Sequence, residues 1–202
     1  MKIAIIKYNA GNVQSVLYAL QRLGITAIVT GDHEEIKTAD KIIFPGVGNA
    51  GSAMEYLKKY RLDELIVSLK QPVLGICLGL QLMCRHSEEE DTECLGIFDV
   101  PVKKFPADVK DKKSSLYKIP HMGWNNIYNL SSLLFEGIKE NSFVYNVHSY
   151  YAELSAETIA TTDYILPYSS AIHKDNFYGV QFHAEKSADA GNHVLSNFLK
   201  IV

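Results

Sequence analysis

The sequence predicts an α/β fold: a three-layer, mostly parallel central sheet with helices on both faces, and an antiparallel extension in the second half. Two observations carry this. Short apolar runs alternate with stretches of helical periodicity through the first half, joined by brief links bearing Gly or Pro. Strands separated by such helices pair in parallel through right-handed crossovers. After Ser87 the helical stretches give way to shorter strand candidates and charged segments, which suits an antiparallel addition.

Ile3 to Ile6 reads as a buried strand and Asn9-Ala10-Gly11-Asn12 as a turn. Val13, Val16, Leu17, Leu20 and Leu23 recur at helical spacing, and Gly24 stops that helix. Thr26 to Thr30 is a second strand. Lys41 to Phe44 is a third, closed by Pro45-Gly46. Met54, Leu57, Leu62, Leu65 and Leu69 predict one helix over Ser52 to Leu69. Pro72 to Ile76 is a fourth strand, with a helix from Leu78 to His86. The acidic run Glu88 to Glu93 reads as a solvated loop, and Asp108 to Ser115 as a loop or hairpin tip. Val100 to Phe105 and Phe143 to Val147 are strands expected to extend the main sheet, and a helix over Ala190 to Ile201 packs back on it. With no repeat, low-complexity tract or linker, residues 1–202 read as one domain.

Hydrophobic residues make up 47% of the chain, enough for a core without disulfides. Lys and Arg number 20 against 23 acidic residues, a net charge of −3, which argues for neither nucleic acid nor an anionic membrane as partner. The three cysteines, Cys77, Cys84 and Cys94, are too few and too irregularly spaced for a disulfide framework. They point to a reducing, cytoplasmic location. Met1 to Lys7 is too short and interrupted for a signal peptide, and no apolar stretch approaches the length of a membrane span.

Chemistry concentrates at two strand tips. Gly75-Ile76-Cys77-Leu78-Gly79 lies between an apolar strand and a helix, the cysteine version of a nucleophile elbow. A sharp strand-to-helix turn strains the nucleophile's backbone and leaves its neighbours no room for side chains. The helix then aims its positive end at the sulfur, and the Leu78 amide faces a developing oxyanion. A cysteine ending an apolar strand is more often a buried structural thiol, and Cys84 and Cys94, which lack the glycines, are read that way. The second tip is Gln181-Phe182-His183-Ala184-Glu185. His183 suits a base for a thiol. In an extended segment Glu185 faces the same way and orients it. The bland reading, a surface His-Glu pair beside Lys186, weakens because the elbow stands at a second tip on the same edge.

Gly46-Val47-Gly48-Asn49-Ala50-Gly51 matches G-x-G-x-x-G but follows the wrong strand for a dinucleotide fingerprint. A loop lending backbone amides to an oxyanion at Cys77 fits better, with a plain tight turn as the alternative.

These residues resemble the class I (triad) glutamine amidotransferases, which have a flavodoxin-like fold. Among them the sequence is most similar to the glutaminase subunits of imidazole glycerol phosphate synthase. The likeness runs through Tyr8-Asn9-Ala10-Gly11-Asn12, Pro45-Gly46-Val47-Gly48, the cysteine elbow through Leu82, Pro120-His121-Met122-Gly123-Trp124-Asn125, Val147-His148-Ser149-Tyr150, and Gln181 to Ser187. The resemblance implies that Cys77 attacks the side-chain amide of L-glutamine, with His183 moving protons and Glu185 orienting it. It implies an oxyanion site from Gly46, Val47, Gly48 and Leu78, in a loop that rearranges before it serves. It implies a glutamine pocket with Gln81, His148, Ser149 and Tyr150, and an interface with Trp124, Asn125, Tyr145 and Lys186. The implied partner is a (βα)₈-barrel cyclase subunit that receives the ammonia in a heterodimer. No cofactor or metal is implied.

Three residues depart from the family pattern. Ala184 replaces a proline between the histidine and glutamate, which suggests a looser pair. Lys7 replaces an aspartate, and Asn49 is unusual after the glycine loop. Rival readings are a paralogous amidotransferase feeding another synthase, a phosphate-binding module using Gly46 to Gly51, and a stand-alone cysteine hydrolase.

Overall fold

The computed structural model describes residues 1–110 and 114–201. In chain order the elements are β1 (Ile3–Ile6), α1 (Val13–Arg22), β2 (Ala27–Thr30), α2 (His33–Lys37), β3 (Lys41–Gly46), α3 (Ala50–Lys59), α4 (Leu62–Ser68), β4 (Val73–Cys77), α5 (Leu78–Met83), β5 (His86–Ser87), β6 (Thr92–Glu93), β7 (Pro101–Lys104), β8 (His121–Ile127), β9 (Ser142–His148), β10 (Tyr150–Ala152), β11 (Thr158–Asp163), β12 (Pro167–Lys174), β13 (Phe177–Val180) and α6 (Ala188–Lys200).

The main sheet runs β11-β12-β13-β4-β3-β1-β2. Its members from β13 to β2 are parallel, and β12 and β11 add on antiparallel. Strand alternation sorts the core. Ala4, Ile6, Ile42 and Phe44 pack towards α3, α4 and α5, while Ile3, Ile5, Ile43, Leu74 and Ile76 pack towards α1 and α6. Both faces are covered, as predicted. No helix among the described residues is long and apolar enough to cross a membrane.

Several expectations need correction. The helix predicted over Ser52 to Leu69 is two, α3 and α4, broken at Arg61 with φ 54°. The five-residue gap between Leu57 and Leu62 cannot keep one apolar stripe on a continuous helix. The helix after the elbow stops at Met83, because the Arg85 N–H turns to the Val100 carbonyl and β5 pairs with β7. The short helix α2, capped by Asp32 through the Glu35 N–H at 2.9 Å, was missed.

The two middle strand candidates do not extend the main sheet. β7 joins a four-stranded sheet, β10-β7-β5-β6, and β9 pairs with β8 in a two-stranded sheet. The antiparallel extension comes from β11 and β12 instead. The acidic run is not a bare loop: Glu88 accepts from Lys103 Nζ and the Lys104 N–H, and Glu89 from the Ala50 N–H. Of the predicted tip at Asp108 to Ser115, residues 111–113 lie outside the described residues, and Lys110 and Leu116 pair across it.

Candidate active site

Cys77 stands where β4 passes into α5, with φ 54° and ψ −107°. That is a strained backbone for a residue with a Cβ. The flanking glycines follow from close approach. A Cβ on Gly79 would fall on the Phe44 carbonyl oxygen, and one on Gly75 would lie 2.9 Å from the Gly79 carbonyl carbon. Helix α5 therefore leaves the sheet too tightly for side chains at those points.

β13 runs beside β4, with Val180 opposite Ile76, so the chain after β13 emerges next to Cys77. There His183 and Cys77 line one cavity, and the Cys77 thiol lies 3.8 Å from the Val147 carbonyl. The His183 Nδ1 lies 2.8 Å from Glu185 Oε1, and both side chains are buried. The pair arises differently from the sequence expectation. β13 ends at Val180, and Ala184–Lys186 is a 3₁₀ turn capped by His183, so the turn, not strand alternation, folds the carboxylate under the imidazole.

Ser187 fastens this turn. Its hydroxyl donates to the His183 carbonyl at 2.7 Å and accepts the Tyr145 N–H at 2.9 Å, and the His183 N–H bonds the Tyr145 carbonyl at 2.9 Å. With β9 holding the turn, the pair closes at hydrogen-bond distance with alanine at 184. Burial alone would lower the His183 pKa. The nearness of Cys77, and the hydrogen bond to Glu185 with its charge, outweigh it and raise the pKa to about 10. Such an arrangement sets a buried imidazole, oriented by a carboxylate, beside the thiol whose proton it can exchange, as a cysteine nucleophile needs. By contrast, burial pushes the Cys84 thiol well up and that of Cys94 to about 12, which leaves both inert.

A cavity of about 310 Å³ opens over Cys77 and His183. Gln81, His148, Ser149 and Tyr150 line it, as do Val47, Gly48 and Leu78; Gly46 does not. Gln81 Nε2 donates to the Tyr150 carbonyl at 2.9 Å and to Gln181 Oε1 at 3.0 Å, which leaves its oxygen as the end that can meet a ligand. His148 is held neutral: Nδ1–H donates to the Tyr150 carbonyl at 2.7 Å, and Nε2 accepts from the Tyr168 hydroxyl at 3.2 Å. Burial, with His121 nearby, drives its pKa to about 3.

Two residues escaped the sequence reading. Gln181 is fully buried and its Nε2 sits 3.7 Å from Cys77 Sγ, a donor to the sulfur. Glu89 lines the cavity, half-buried, with its carboxyl pKa raised by burial. Only its place soon after α5, in an acidic run with no helical or strand pattern, could have drawn notice.

The glycine loop leads into α3 without a phosphate site. Glu89 already takes the Ala50 N–H at 2.8 Å, and Asn49 caps the Ser52 N–H at 3.0 Å. A carboxylate there repels a phosphate, and Asn49 has its explanation as an N-cap. Lys7 is exposed. Trp124 is 52% exposed and meets Tyr145 edge-on at 5.8 Å. Met122 and Phe143 stand exposed on the same two-stranded sheet, and Lys186 is exposed at the cavity. Asn125 is half-buried and donates from Nδ2 to the Asp163 carbonyl at 2.8 Å.

The class-I glutamine amidotransferase family model matches residues 4–202. The chain is 58% identical to the imidazole glycerol phosphate synthase subunit HisH of Bacteroides thetaiotaomicron, over 100% of both chains. It is 43% identical to the imidazole glycerol phosphate synthase subunit HisH 2 of Campylobacter jejuni, over 99% of this chain and 98% of the relative. Among solved structures it resembles a glutamine amidotransferase with TM-score 0.73 at 16% identity, covering 98% and 97% of the two chains. A glutamine amidotransferase from Thermotoga maritima matches with TM-score 0.61 at 15% identity, over 99% and 83%. At those identities the two structures speak for the fold.

Proposed function

The chain belongs to the class-I glutamine amidotransferase family, and on that premise we propose that it is the glutaminase subunit of an imidazole glycerol phosphate synthase. It is an enzyme that releases ammonia from L-glutamine. The observation that carries the residue assignment is the convergence of Cys77, His183 and Glu185 at one sheet edge, beneath a cavity of amino-acid size. Residues 1–202 act as one amidotransferase domain.

In this reading the Cys77 thiolate attacks the side-chain amide carbon, and the carbonyl electrons move onto oxygen. The oxyanion is met by amides of Leu78 and the Gly46–Gly48 loop. His183 gives its proton to the departing nitrogen as the tetrahedral centre collapses to a glutamyl thioester, and ammonia leaves. Neutral His183 then takes a proton from water as its oxygen attacks the thioester, and glutamate departs as the thiolate re-forms. Glu185 keeps Nδ1 protonated throughout. Gln181 steadies the thiolate from behind. Glu89 suits the α-ammonium group of the substrate, since a half-buried carboxylate gains most from a cation beside it.

The product ammonia keeps its nucleophilicity only while it stays out of water. The partner we propose is a (βα)₈-barrel cyclase subunit docked on the β8–β9 face. Support comes from the exposed Met122, Trp124 and Phe143 there, and from Pro120 and Val147, which belong to or adjoin that face and also line the cavity. Lys186 lines the same cavity, and Tyr145 stands beside Trp124 on that face. Asn125 contributes by holding β8 in place. The thiol chemistry suits a reducing, cytoplasmic setting, and all three cysteines are free.

The test is glutamine hydrolysis by the full chain and by Cys77→Ala, each with and without the candidate cyclase carrying its ligand. Wild type should be stimulated and the variant inactive. Turnover by Cys77→Ala would end the assignment, and indifference to the cyclase would end the coupled reading.

A further inference from the structure

Tyr8 follows β1, ahead of the turn into α1. Its ring packs against Phe44, centroids 5.3 Å apart, in the core on the α5 side of the sheet. Its hydroxyl is buried and has no hydrogen-bond partner among the described residues. A position with only packing to do would shed that cost as phenylalanine. The hydroxyl lies against the glycine loop: a Cβ on Gly46 would land on it. Burial, then the nearness of Cys77, raises its pKa, so it remains a neutral donor.

The loop suggests what the donor waits for. β3 and β4 keep register out to Gly46 opposite Cys77. At the start of that pairing the Ile42 N–H bonds the Pro72 carbonyl. Alternate residues of a strand face the same neighbour. Ile42, Phe44 and Gly46 therefore turn their peptide groups towards β4, and the Gly46 carbonyl is directed at the Leu78 amide. The peptide bond is planar and trans, so the Val47 N–H on the far side of the same peptide points away from Cys77. In this arrangement neither amide serves an oxyanion. One rotation of the Gly46–Val47 peptide releases the first and delivers the second. It also swings the Gly46 carbonyl off β4, and a buried acceptor parted from its donor needs another.

We propose that the Tyr8 hydroxyl is that donor: Tyr8 is a positioning residue that receives the Gly46 carbonyl when the loop turns, holding the Val47 amide on the oxyanion. This rests on Cys77 being the nucleophile. Tyr8 itself touches no reacting atom. Tyr8 supplies the partner that the Gly46 carbonyl loses on turning, so without the hydroxyl the turned loop holds an unpaired buried acceptor; the effect falls on turnover and spares substrate binding.

The experiment is Tyr8→Phe in the full chain, assayed with the cyclase that stimulates it. We expect kcat to fall about five- to tenfold, the worth of one ordinary hydrogen bond, with KM for glutamine changed by less than about twofold. The Tm should be equal or higher, because the hydroxyl has no partner at rest. Alkylation of Cys77 by iodoacetamide, which forms no oxyanion, should keep its wild-type rate. An unchanged kcat overturns the proposal. So does a lower kcat accompanied by slower alkylation or a lower Tm, which would make the ring a prop for the elbow. Glutamine turnover by Cys77→Ala would instead show that the nucleophile assignment had failed, whatever Tyr8 does.

Discussion

Gly79 and Gly51 pose the same problem to an added methyl group and differ in what it meets. On Gly79 the new Cβ falls on the Phe44 carbonyl oxygen, with the carbonyl carbon at 2.9 Å. Both atoms are backbone of β3, in the interior of the sheet, so they cannot step aside and α5 must lift away. Overpacking costs roughly 1–3 kcal/mol when neighbours can adjust, and about 3 kcal/mol or more is expected where they cannot. On Gly51 the Cβ falls on Glu90 Oε2, the tip of an exposed side chain free to rotate. Gly51 lies in α3, where alanine gains up to roughly 1 kcal/mol over glycine. For a chain of this length each kcal/mol moves Tm by roughly 2–4 °C. Gly79→Ala should therefore melt about 6–12 °C below wild type, with Gly51→Ala at or slightly above it. Because Cys77 rides on the displaced turn, Gly79→Ala should also lose about 100-fold in turnover. Thermal melts followed by circular dichroism, with glutamine hydrolysis on the same samples, test this. Equal shifts of the same sign, or a Gly79→Ala protein melting with wild type, would refute the claim that strand–helix approach demands glycine at the elbow.

Glu185→Gln keeps the volume and removes the charge that helps hold His183 at a raised pKa. Turnover should drop by roughly 10²–10⁴, as for other triads deprived of their acid, and the alkaline limb of kcat/KM should move to lower pH; a superimposable pH profile would count against the orienting role. Stability should peak near pH 6.5, for reasons of opposite sign on each side. His148 and His121 have folded pKa values depressed to about 3 and about 4, so the unfolded chain takes up protons first, and their contribution, full above the ordinary value, is lost as pH falls. His183 is raised to about 10, so its contribution is full below the ordinary value and drains away as pH rises towards 10. For His148 the acid limb is worth about 1.4 kcal/mol per pH unit. Denaturant midpoints from pH 4.5 to about 9.5 should trace that dome, with His148→Gln flattening the acid side; a monotonic curve would contradict the assigned shifts.

What could be read from the chain divides by whether a feature is local. β1, β3 and β4 were legible because each is an apolar run bounded by turn residues, and α1 because Gly24 ends it. The α3–α4 break is written in the Leu57–Leu62 spacing too, five residues that no continuous helix keeps on one face. The partners of Pro101–Lys104 and Ser142–His148 were not legible, because an apolar alternation announces a strand and says nothing of which strand lies beside it. The site divides the same way. Cys77 and His183 carry their signals in their immediate neighbours. Gln181 and Glu89 matter through bonds to residues 104 and 39 positions away, and no local pattern records those. Gly46 is the limiting case. Pro45-Gly46 reads as the turn that closes a strand, yet Gly46 pairs with Cys77 inside the sheet. Which way its carbonyl faces depends on a parity counted from Ile42, a property of the register and of no single residue. The readiness of the oxyanion loop is written in that parity, and so is the meaning of a tyrosine hydroxyl left without a partner beside it.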